Sequence, residues 1–222
     1  MTKSLASVGH ASGFVQTVSN KHDGDLSMNK IFQIGFNRCG TTTLFEFFQK
    51  NGISSIHWDR GELARRFLER KKHNEDPFLD YQNITFFSDM IYLSYDELIE
   101  PYRDFEYIHK YYPDSYYILN TRPFGKWLKS RLGHSDFAKR YQSVFNLKSL
   151  DDVIRHWRLE WYEHHHKTLK YFELFPGQML YFDIELDGPQ QIVQFLNKEF
   201  KLDPGFYGHE NKASAHQVRW RM

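Results

Sequence analysis

The chain has 222 residues, of which 29 are Lys or Arg and 28 are Asp or Glu, so its formal net charge is only +1. Aromatic residues make up 18% of the sequence, which argues against a disordered chain, and the charge balance argues against a broadly basic surface for nucleic acid. A chain of this length fits one domain with a sizeable core.

Three features bear on domain limits and location. Residues 1–27 are mostly small and polar and lack the apolar centre of a secretory signal. We therefore interpret residues 1–27 as a flexible leader and residues 28–222 as one domain. No apolar stretch approaches the 18 residues that indicate a membrane span. The single cysteine, Cys39, excludes an intramolecular disulfide and fits a reducing compartment, which favours a cytoplasmic protein.

Short apolar stretches alternate with helical patterns along the chain. This order is typical of an α/β fold with a mostly parallel central sheet covered by helices on both faces. We expect about five strands, at residues 31–36, 53–57, 84–88, 116–121 and 179–182.

The first predicted strand leads into a loop bounded by Gly35 and Gly40, and threonines then open an apolar helix. Strand, glycine-bounded loop and helix is the order in which a chain surrounds a phosphate with backbone N–H groups. The fold is therefore expected to resemble the P-loop-containing nucleotide hydrolases. In the common triphosphate loop a lysine follows the second glycine, but Thr41 stands there and Arg38 is the nearby cation. We expect binding of a phosphate-like group without the usual lysine.

Helix signals follow later in the chain. Ser94 to Glu97 has the form of a capping box and predicts a helix running toward Tyr102, and residues 149–152 are its acidic analogue. The longest helical pattern covers residues 150–175 and ends at Pro176. Pro189 predicts the start of one more helix.

Two sequence features have competing interpretations. Cys39 reads as a small loop filler, although a thiolate of low pKa at a helix N-terminus is the alternative. The run from His164 to His166 suggests a metal site, but successive helical residues point about 100° apart and three of them cannot close on one ion. We expect these histidines to form a surface feature.

A second anion site is indicated near residue 122. Arg122 follows the strand predicted at residues 116–121, Pro123 starts a helix, and Ser130 lies about two turns along it. Ligands of open α/β sheets bind outside the carboxyl ends of the strands. Arg122 and Arg38 should therefore face one crevice, which implies a ligand with two phosphate-like groups.

Together these two segments resemble the PAPS-dependent sulfotransferases, most closely the short, divergent branch that is common in bacteria. In that family a [KR]-x-G-T-T core holds the 5′-phosphosulfate, and an arginine followed eight residues later by a serine holds the 3′-phosphate. The resemblance covers about residues 30–211. It implies donor-binding roles for Arg38, Cys39, Gly40, Thr41, Thr42, Thr43, Arg122 and Ser130, and for Lys212 in a tail that resembles the family's final loop.

The chain departs from the family pattern at two positions. Many members have lysine where this chain has Arg38, and an arginine keeps its proton, so its role should be electrostatic clamping. Thr43 stands where a tryptophan often follows the threonines. Neither change removes the predicted anion site.

The reaction that the resemblance implies also needs a base to take the acceptor's proton. The family commonly supplies a histidine or a carboxylate from the strand ends after the phosphate loop. His57 and Asp89 occupy such positions, and we favour His57, although it could simply bond the backbone and Asp89 could cap a helix. Arg38 completes the expected catalytic set. Aromatic residues nearby could line an acceptor pocket: Trp58, Phe86, Tyr92 and Tyr95.

The resemblance therefore implies an enzyme that moves a sulfuryl group from PAPS to an acceptor hydroxyl or amine and releases adenosine 3′,5′-bisphosphate, without a metal. The expected acceptor is a small molecule or a carbohydrate. A P-loop nucleotide or small-molecule kinase is the first alternative, and a non-catalytic nucleotide-binding module is the second. Acceptor identity and oligomeric state stay open.

Overall fold

The computed structural model describes residues 29–208. The proposed leader, residues 1–27, and the tail with the proposed donor ligand Lys212 lie outside the described residues. Within the described range the chain forms seven strands. They are β1 (Ile31–Gln33), β2 (Ser55–His57), β3 (Phe86–Ser88), β4 (Tyr92–Leu93), β5 (Leu98–Ile99), β6 (Tyr116–Thr121) and β7 (Met179–Asp183).

Five of these strands form one parallel sheet in the order β2-β3-β1-β6-β7. This confirms the predicted α/β class and the predicted number of sheet strands. From β1 the chain continues to β2 at one edge of the sheet, whereas from β6 it continues to β7 at the opposite edge. The connections therefore run in opposite directions from the neighbouring strands β1 and β6. In open α/β sheets such a divergence opens a crevice at the carboxyl ends of the strands, where ligands bind.

The described part of the chain also forms seven α-helices, six between strands and one after β7. They are α1 (Thr41–Lys50), α2 (Glu62–Lys72), α3 (Phe105–Tyr111), α4 (Phe124–Leu132), α5 (Phe137–Val144), α6 (Leu150–Phe172) and α7 (Pro189–Leu196). Ser149 caps α6 by accepting a hydrogen bond from the backbone N–H of Asp152, as its sequence predicts. Within residues 29–208, no helix has both the length and the apolarity needed to cross a membrane.

The core has two parts, one on each face of the sheet, because alternate strand residues point to opposite faces. Phe32 and Tyr117 belong to the part that packs against α2 to α6, and Ile31 and Ile118 belong to the part that packs against α1 and α7. Burial on both faces explains why the central strands read as continuous apolar runs.

One predicted helix is wrong. Ser94 to Glu97 forms the turn of an antiparallel hairpin between β4 and β5, and the next α-helix begins only at Phe105. Ser94 Oγ does accept a hydrogen bond from the Glu97 N–H, at 3.0 Å, as a capping box would. The Ser94 N–H, however, donates to the Glu97 carbonyl at 2.9 Å, which closes a hairpin. The hydrogen bond from the Glu97 N–H to Ser94 Oγ is therefore common to a capping box and to this hairpin turn. Only the pairing of β4 with β5 distinguishes the two.

Candidate functional site

The loop from Gly35 to Gly40, between β1 and α1, is called the phosphate loop after its predicted role, and its conformation depends on these two glycines. Gly35 lies against β6, where an added Cβ atom would come within 1.9 Å of the Asn120 carbonyl oxygen. Gly40 has a φ of 75°, a left-handed conformation that favours glycine, and an added Cβ atom there would lie 3.1 Å from Ile184. The loop thus approaches β6 and the chain after β7 too closely for side chains at these positions.

Two buried amide side chains fix the loop backbone. Asn120 Oδ1 accepts from the Gly35 N–H at 3.0 Å, and its Nδ2 donates to the Cys39 carbonyl at 2.7 Å. Gln33 Nε2 donates to the Gly35 carbonyl at 2.6 Å and to Asn120 Oδ1, while Gln33 Oε1 accepts from the Asp89 N–H at 2.9 Å. Gln33 and Asn120 therefore join the segments that follow β1 and β3 to β6 itself, and neither was singled out from the sequence.

The structure brings Arg38, Arg122 and Ser130 together at the crevice. Arg38 Nε donates to Ser130 Oγ at 3.2 Å, and Arg122 Nη1 donates to the Arg38 carbonyl at 3.3 Å. These contacts join residues 92 and 84 positions apart in the sequence. The two predicted anion sites are therefore neighbours in the fold.

Arg122 also makes an ion pair that the sequence analysis missed. Its Nη2 contacts Glu185 Oε1, and Lys126 Nζ lies 2.7 Å from Glu185 Oε2. Hydrogen bonding to Lys126 and the charge of Arg122 lower the pKa of Glu185. The Arg122 Nε atom is buried and has no hydrogen-bond partner within residues 29–208.

Helix α4, which carries Ser130, is anchored by two buried side chains. Trp127 Nε1 donates to the Asn37 carbonyl in the loop at 3.1 Å. The fully buried Arg131 guanidinium lies 4.9 Å from the Trp127 ring centroid and 3.6 Å from Glu100 Oε1. Cation–π contacts and this ion pair stabilise a charge that burial would otherwise disfavour. The position of Ser130 therefore depends on packed side chains on the same helix.

His57 and Asp89 lie side by side at the ends of β2 and β3. His57 Nε2 is 3.8 Å from Asp89 Oδ2, and their side chains are 22% and 19% exposed. His57 Nδ1 is 3.0 Å from Ser88 Oγ, and Ser88 Oγ donates to the Ile56 carbonyl at 3.3 Å. We adopt the Nδ1-protonated tautomer, in which His57 donates to Ser88 Oγ and its Nε2 is able to accept a proton.

The surroundings of Asp89 join it to the phosphate loop. Burial raises the pKa of Asp89 above its usual value, and interactions with His57, His134 and Arg38 and a hydrogen bond with Thr41 only partly oppose this rise. Asp89 does not cap a helix, because β4 follows it. Burial lowers the pKa of both His57 and His134, so both histidines favour their neutral form. His134 was not predicted, because no motif marks a histidine at the end of α4.

The Cys39 side chain is wholly buried, and burial raises the pKa of its thiol. The interpretation of Cys39 as a low-pKa thiolate is therefore wrong, and the loop-filler interpretation fits. Only its backbone can face a ligand. Among the loop threonines, Thr41 and Thr43 are buried and Thr42 is half-buried.

The expectation that His164 to His166 form a surface feature is wrong for two of the three. His164 and His165 are only 3% and 9% exposed. His164 Nε2 donates to the Ile34 carbonyl at 2.7 Å, and His165 Nε2 lies 2.8 Å from Thr121 Oγ1. These histidines therefore support β1 just before Gly35 and β6 just before Arg122. Their spacing from the buried Trp157 and Trp161 on α6 was the signal that could have placed them. Within residues 29–208, no cluster of His, Cys, Asp and Glu could hold a metal ion.

The aromatic residues predicted around the acceptor differ in exposure. Phe86 cannot line a pocket, because it is fully buried and its ring lies 4.2 Å from that of Phe48. Trp58 and Tyr95 are 46% and 54% exposed. Trp58 also has a φ of 58°, which is strained for a bulky side chain. Trp58 therefore presents an exposed aromatic ring next to His57 in the sequence.

The chain matches a model of a known protein family. A sequence model of the family described as a sulfotransferase domain matches residues 30–160, which is more than half of the chain. The matched region contains the phosphate loop, His57, Asp89, Arg122 and Ser130. It ends within α6, short of the extent that the motifs alone suggested. A search of curated proteins found no match to the chain.

Proposed function

The chain belongs to the sulfotransferase domain family, and we propose that it moves a sulfuryl group from PAPS to an acceptor hydroxyl or amine, releasing adenosine 3′,5′-bisphosphate. The observation that carries this proposal is the contact chain from Ser130 through Arg38 to Arg122. It makes one crevice out of two cationic segments, and PAPS is a donor with phosphate groups at two ends of one nucleoside.

The donor-binding roles follow from this arrangement. The 5′-phosphosulfate would lie against the loop backbone from Arg38 to Thr43, where the N-terminus of α1 favours negative charge. The 3′-phosphate would bind Arg122 and Ser130. The buried Arg122 Nε, unpaired within residues 29–208, is a spare hydrogen-bond donor that fits an anion. Lys212 is an additional candidate donor ligand that lies outside the described residues.

In the proposed reaction the acceptor oxygen or nitrogen forms a bond to sulfur while the bond from sulfur to the bridging oxygen of the 5′-phosphate breaks. The electron pair of the broken bond stays on the 5′-phosphate of the bisphosphate product. Arg38 and the loop N–H groups would stabilise that developing charge. The acceptor's proton goes to the base, and no other reactant is required.

His57 is the preferred base. Its Nε2 accepts a proton in the assigned tautomer, and Asp89 at 3.8 Å would stabilise the imidazolium that forms. Asp89 is the alternative base, since burial raises its pKa and makes it a better proton acceptor than an ordinary aspartate. The turnover that remains in the His57 and Asp89 variants separates the two assignments, because loss of the true base lowers turnover more than loss of its neighbour.

One observation favours the kinase alternative. Asp89 contacts Thr41, and in P-loop enzymes a strand-end aspartate and a loop Ser or Thr together hold Mg²⁺. The absence of a lysine after Gly40 disfavours this function, because that lysine serves the β- and γ-phosphates of ATP. The acceptor of a sulfotransferase would instead approach the same edge of the sheet beside His57 and Trp58, and small molecules and carbohydrates are the first classes to test.

Ligand binding tests the donor. The midpoint of thermal unfolding is measured with adenosine 3′,5′-bisphosphate, with ATP, and with ATP plus Mg²⁺. A ligand that binds the folded state raises this midpoint by mass action. We expect the bisphosphate to raise it most, whereas a larger rise with ATP plus Mg²⁺ would favour a kinase.

Sulfuryl transfer from PAPS to a panel of phenols, sugars and amines tests catalysis. Arg38→Ala should lower turnover by about 10²–10³, and His57→Ala by about 10²–10⁴. The exposed Arg155 on α6 and His73 just after α2 provide matched controls, since their alanine variants should keep parental turnover. Asp89→Asn should cost less than His57→Ala. Equal turnover of the parent, Arg38→Ala and His57→Ala would remove both residues from the mechanism, and bisphosphate binding without transfer to any acceptor would favour the non-catalytic module.

A further inference from the structure

We infer that Glu185 is an internal competitor for the donor's 3′-phosphate and sets the affinity of that subsite. This inference rests on the proposed function, because it takes Arg122 as the residue that binds the 3′-phosphate. Both oxygens of the Glu185 carboxylate are engaged, one by Arg122 and the other by Lys126. The carboxylate thus occupies the two cations that a phosphate at this position would use.

The backbone holds Glu185 in this place. The Glu185 N–H donates to Asp183 Oδ1 at 2.9 Å, and the Ile184 N–H donates to the Thr121 carbonyl at 2.9 Å. Ile184 also packs against Gly40 of the phosphate loop. The turn that carries Glu185 is therefore fixed between the end of β6 and the loop, and its carboxylate lies beside Arg122 as a consequence.

The charges explain why this matters for the donor. Arg122 and Lys126 carry two positive charges, and Glu185 cancels one of them. The Arg122 and Glu185 side chains are only 20% and 25% exposed, so water screens their interaction less than on an open surface. A 3′-phosphate must displace the carboxylate or share its cations against like-charge repulsion. Either event weakens binding of a donor that carries a 3′-phosphate and leaves a donor without one unaffected.

Calorimetric titration of Glu185→Gln tests this inference. The variant keeps the size of the side chain and removes its charge. We expect it to bind adenosine 3′,5′-bisphosphate about tenfold more tightly than the parent, the effect of freeing one charge-assisted pair. Its affinity for adenosine 5′-phosphosulfate, which lacks the 3′-phosphate, should stay within about twofold of the parent. Glu106→Gln is the control for the loss of a carboxylate charge, because it removes the ion pair that Glu106 on α3 makes with Lys167 on α6.

A double variant that lacks both cations tests whether the gain in bisphosphate affinity depends on them. In a chain that carries Arg122→Met and Lys126→Met, the gain from Glu185→Gln should disappear, because nothing remains for the carboxylate to neutralise. A gain that persists there would overturn the inference. So would weaker bisphosphate binding by Glu185→Gln, since Glu185 would then help to orient Arg122.

The outcomes separate the inference from the proposed function. Bisphosphate binding by the parent and Glu185→Gln with equal affinity overturns the inference alone. Failure of both proteins to bind the bisphosphate, while their unfolding midpoints match, overturns the proposed donor and the inference with it.

Discussion

Replacement of Asn120 by alanine should destabilise the protein through the phosphate loop. The Asn120 side chain is fully buried and supplies hydrogen bonds to the Gly35 N–H at 3.0 Å and the Cys39 carbonyl at 2.7 Å. In Asn120→Ala these two loop groups lose the side chain that pairs them. A buried polar group left unpaired costs about 1–3 kcal/mol. Two such groups give a loss of about 3 kcal/mol, a large part of the roughly 5–15 kcal/mol that stabilises a typical domain.

Urea denaturation followed by circular dichroism measures this loss. Asn120→Ala should lower the free energy of unfolding by about 3 kcal/mol with an unchanged dependence on urea. Asn197→Ala is the matched control, because Asn197 is exposed at the end of α7 and surface changes usually stay within about 0.5 kcal/mol. Equal free energies for the two variants would refute the role of Asn120 in holding the loop.

Three further predictions follow from burial and close contact. Gly35→Ala should abolish folding or lower the free energy of unfolding by about 3 kcal/mol or more, because its Cβ would lie 1.9 Å from the Asn120 carbonyl oxygen. Gly125→Ala in α4 is the control, because no atom lies within 4 Å of its added Cβ, and it should be neutral or stabilising in the same denaturation assay. Cys39 should resist iodoacetamide in the folded protein and react only after unfolding, as mass spectrometry would show, since burial raises the pKa of its thiol. Burial lowers the pKa of His164 to about 3, so its neutral form contributes stability that is fully present above the unfolded pKa of about 6.5 and falls by about 1.4 kcal/mol per pH unit below it. His164→Gln should therefore make the free energy of unfolding less dependent on pH between pH 6.5 and 5. An unchanged pH dependence would contradict this.

The fold was predictable because its signals are local. Apolar runs mark the five sheet strands, and Pro189 and the Ser149 cap mark two helix starts that the structure reproduces. The hairpin of β4 and β5 was missed because the hydrogen bond from Glu97 to Ser94 is common to a capping box and to this turn. Short strands of two residues carry too little alternation to outweigh such a signal.

The candidate site was predictable only where a motif carried it. Arg38, Arg122 and Ser130 stand at family spacings, and the structure brings them into contact. Gln33 and Glu185 were missed, because each acts through a contact with a segment far along the chain. A buried glutamine in a strand and a surface glutamate in a turn look ordinary in sequence, and only the fold shows what they touch.

These long-range contacts also couple the proposed donor site to the proposed base. Gln33 Nε2 donates to the carbonyl of Gly35 in the phosphate loop, and Gln33 Oε1 accepts from the backbone N–H of Asp89. Asp89 in turn faces His57 at 3.8 Å. A displacement of the loop is therefore transmitted toward the proposed base through one buried side chain that is hydrogen-bonded at both ends. In-line transfer depends on the alignment of acceptor, sulfur and leaving oxygen within a fraction of an ångström. A change at the fully buried Gln33 should therefore disturb donor binding and proton transfer together.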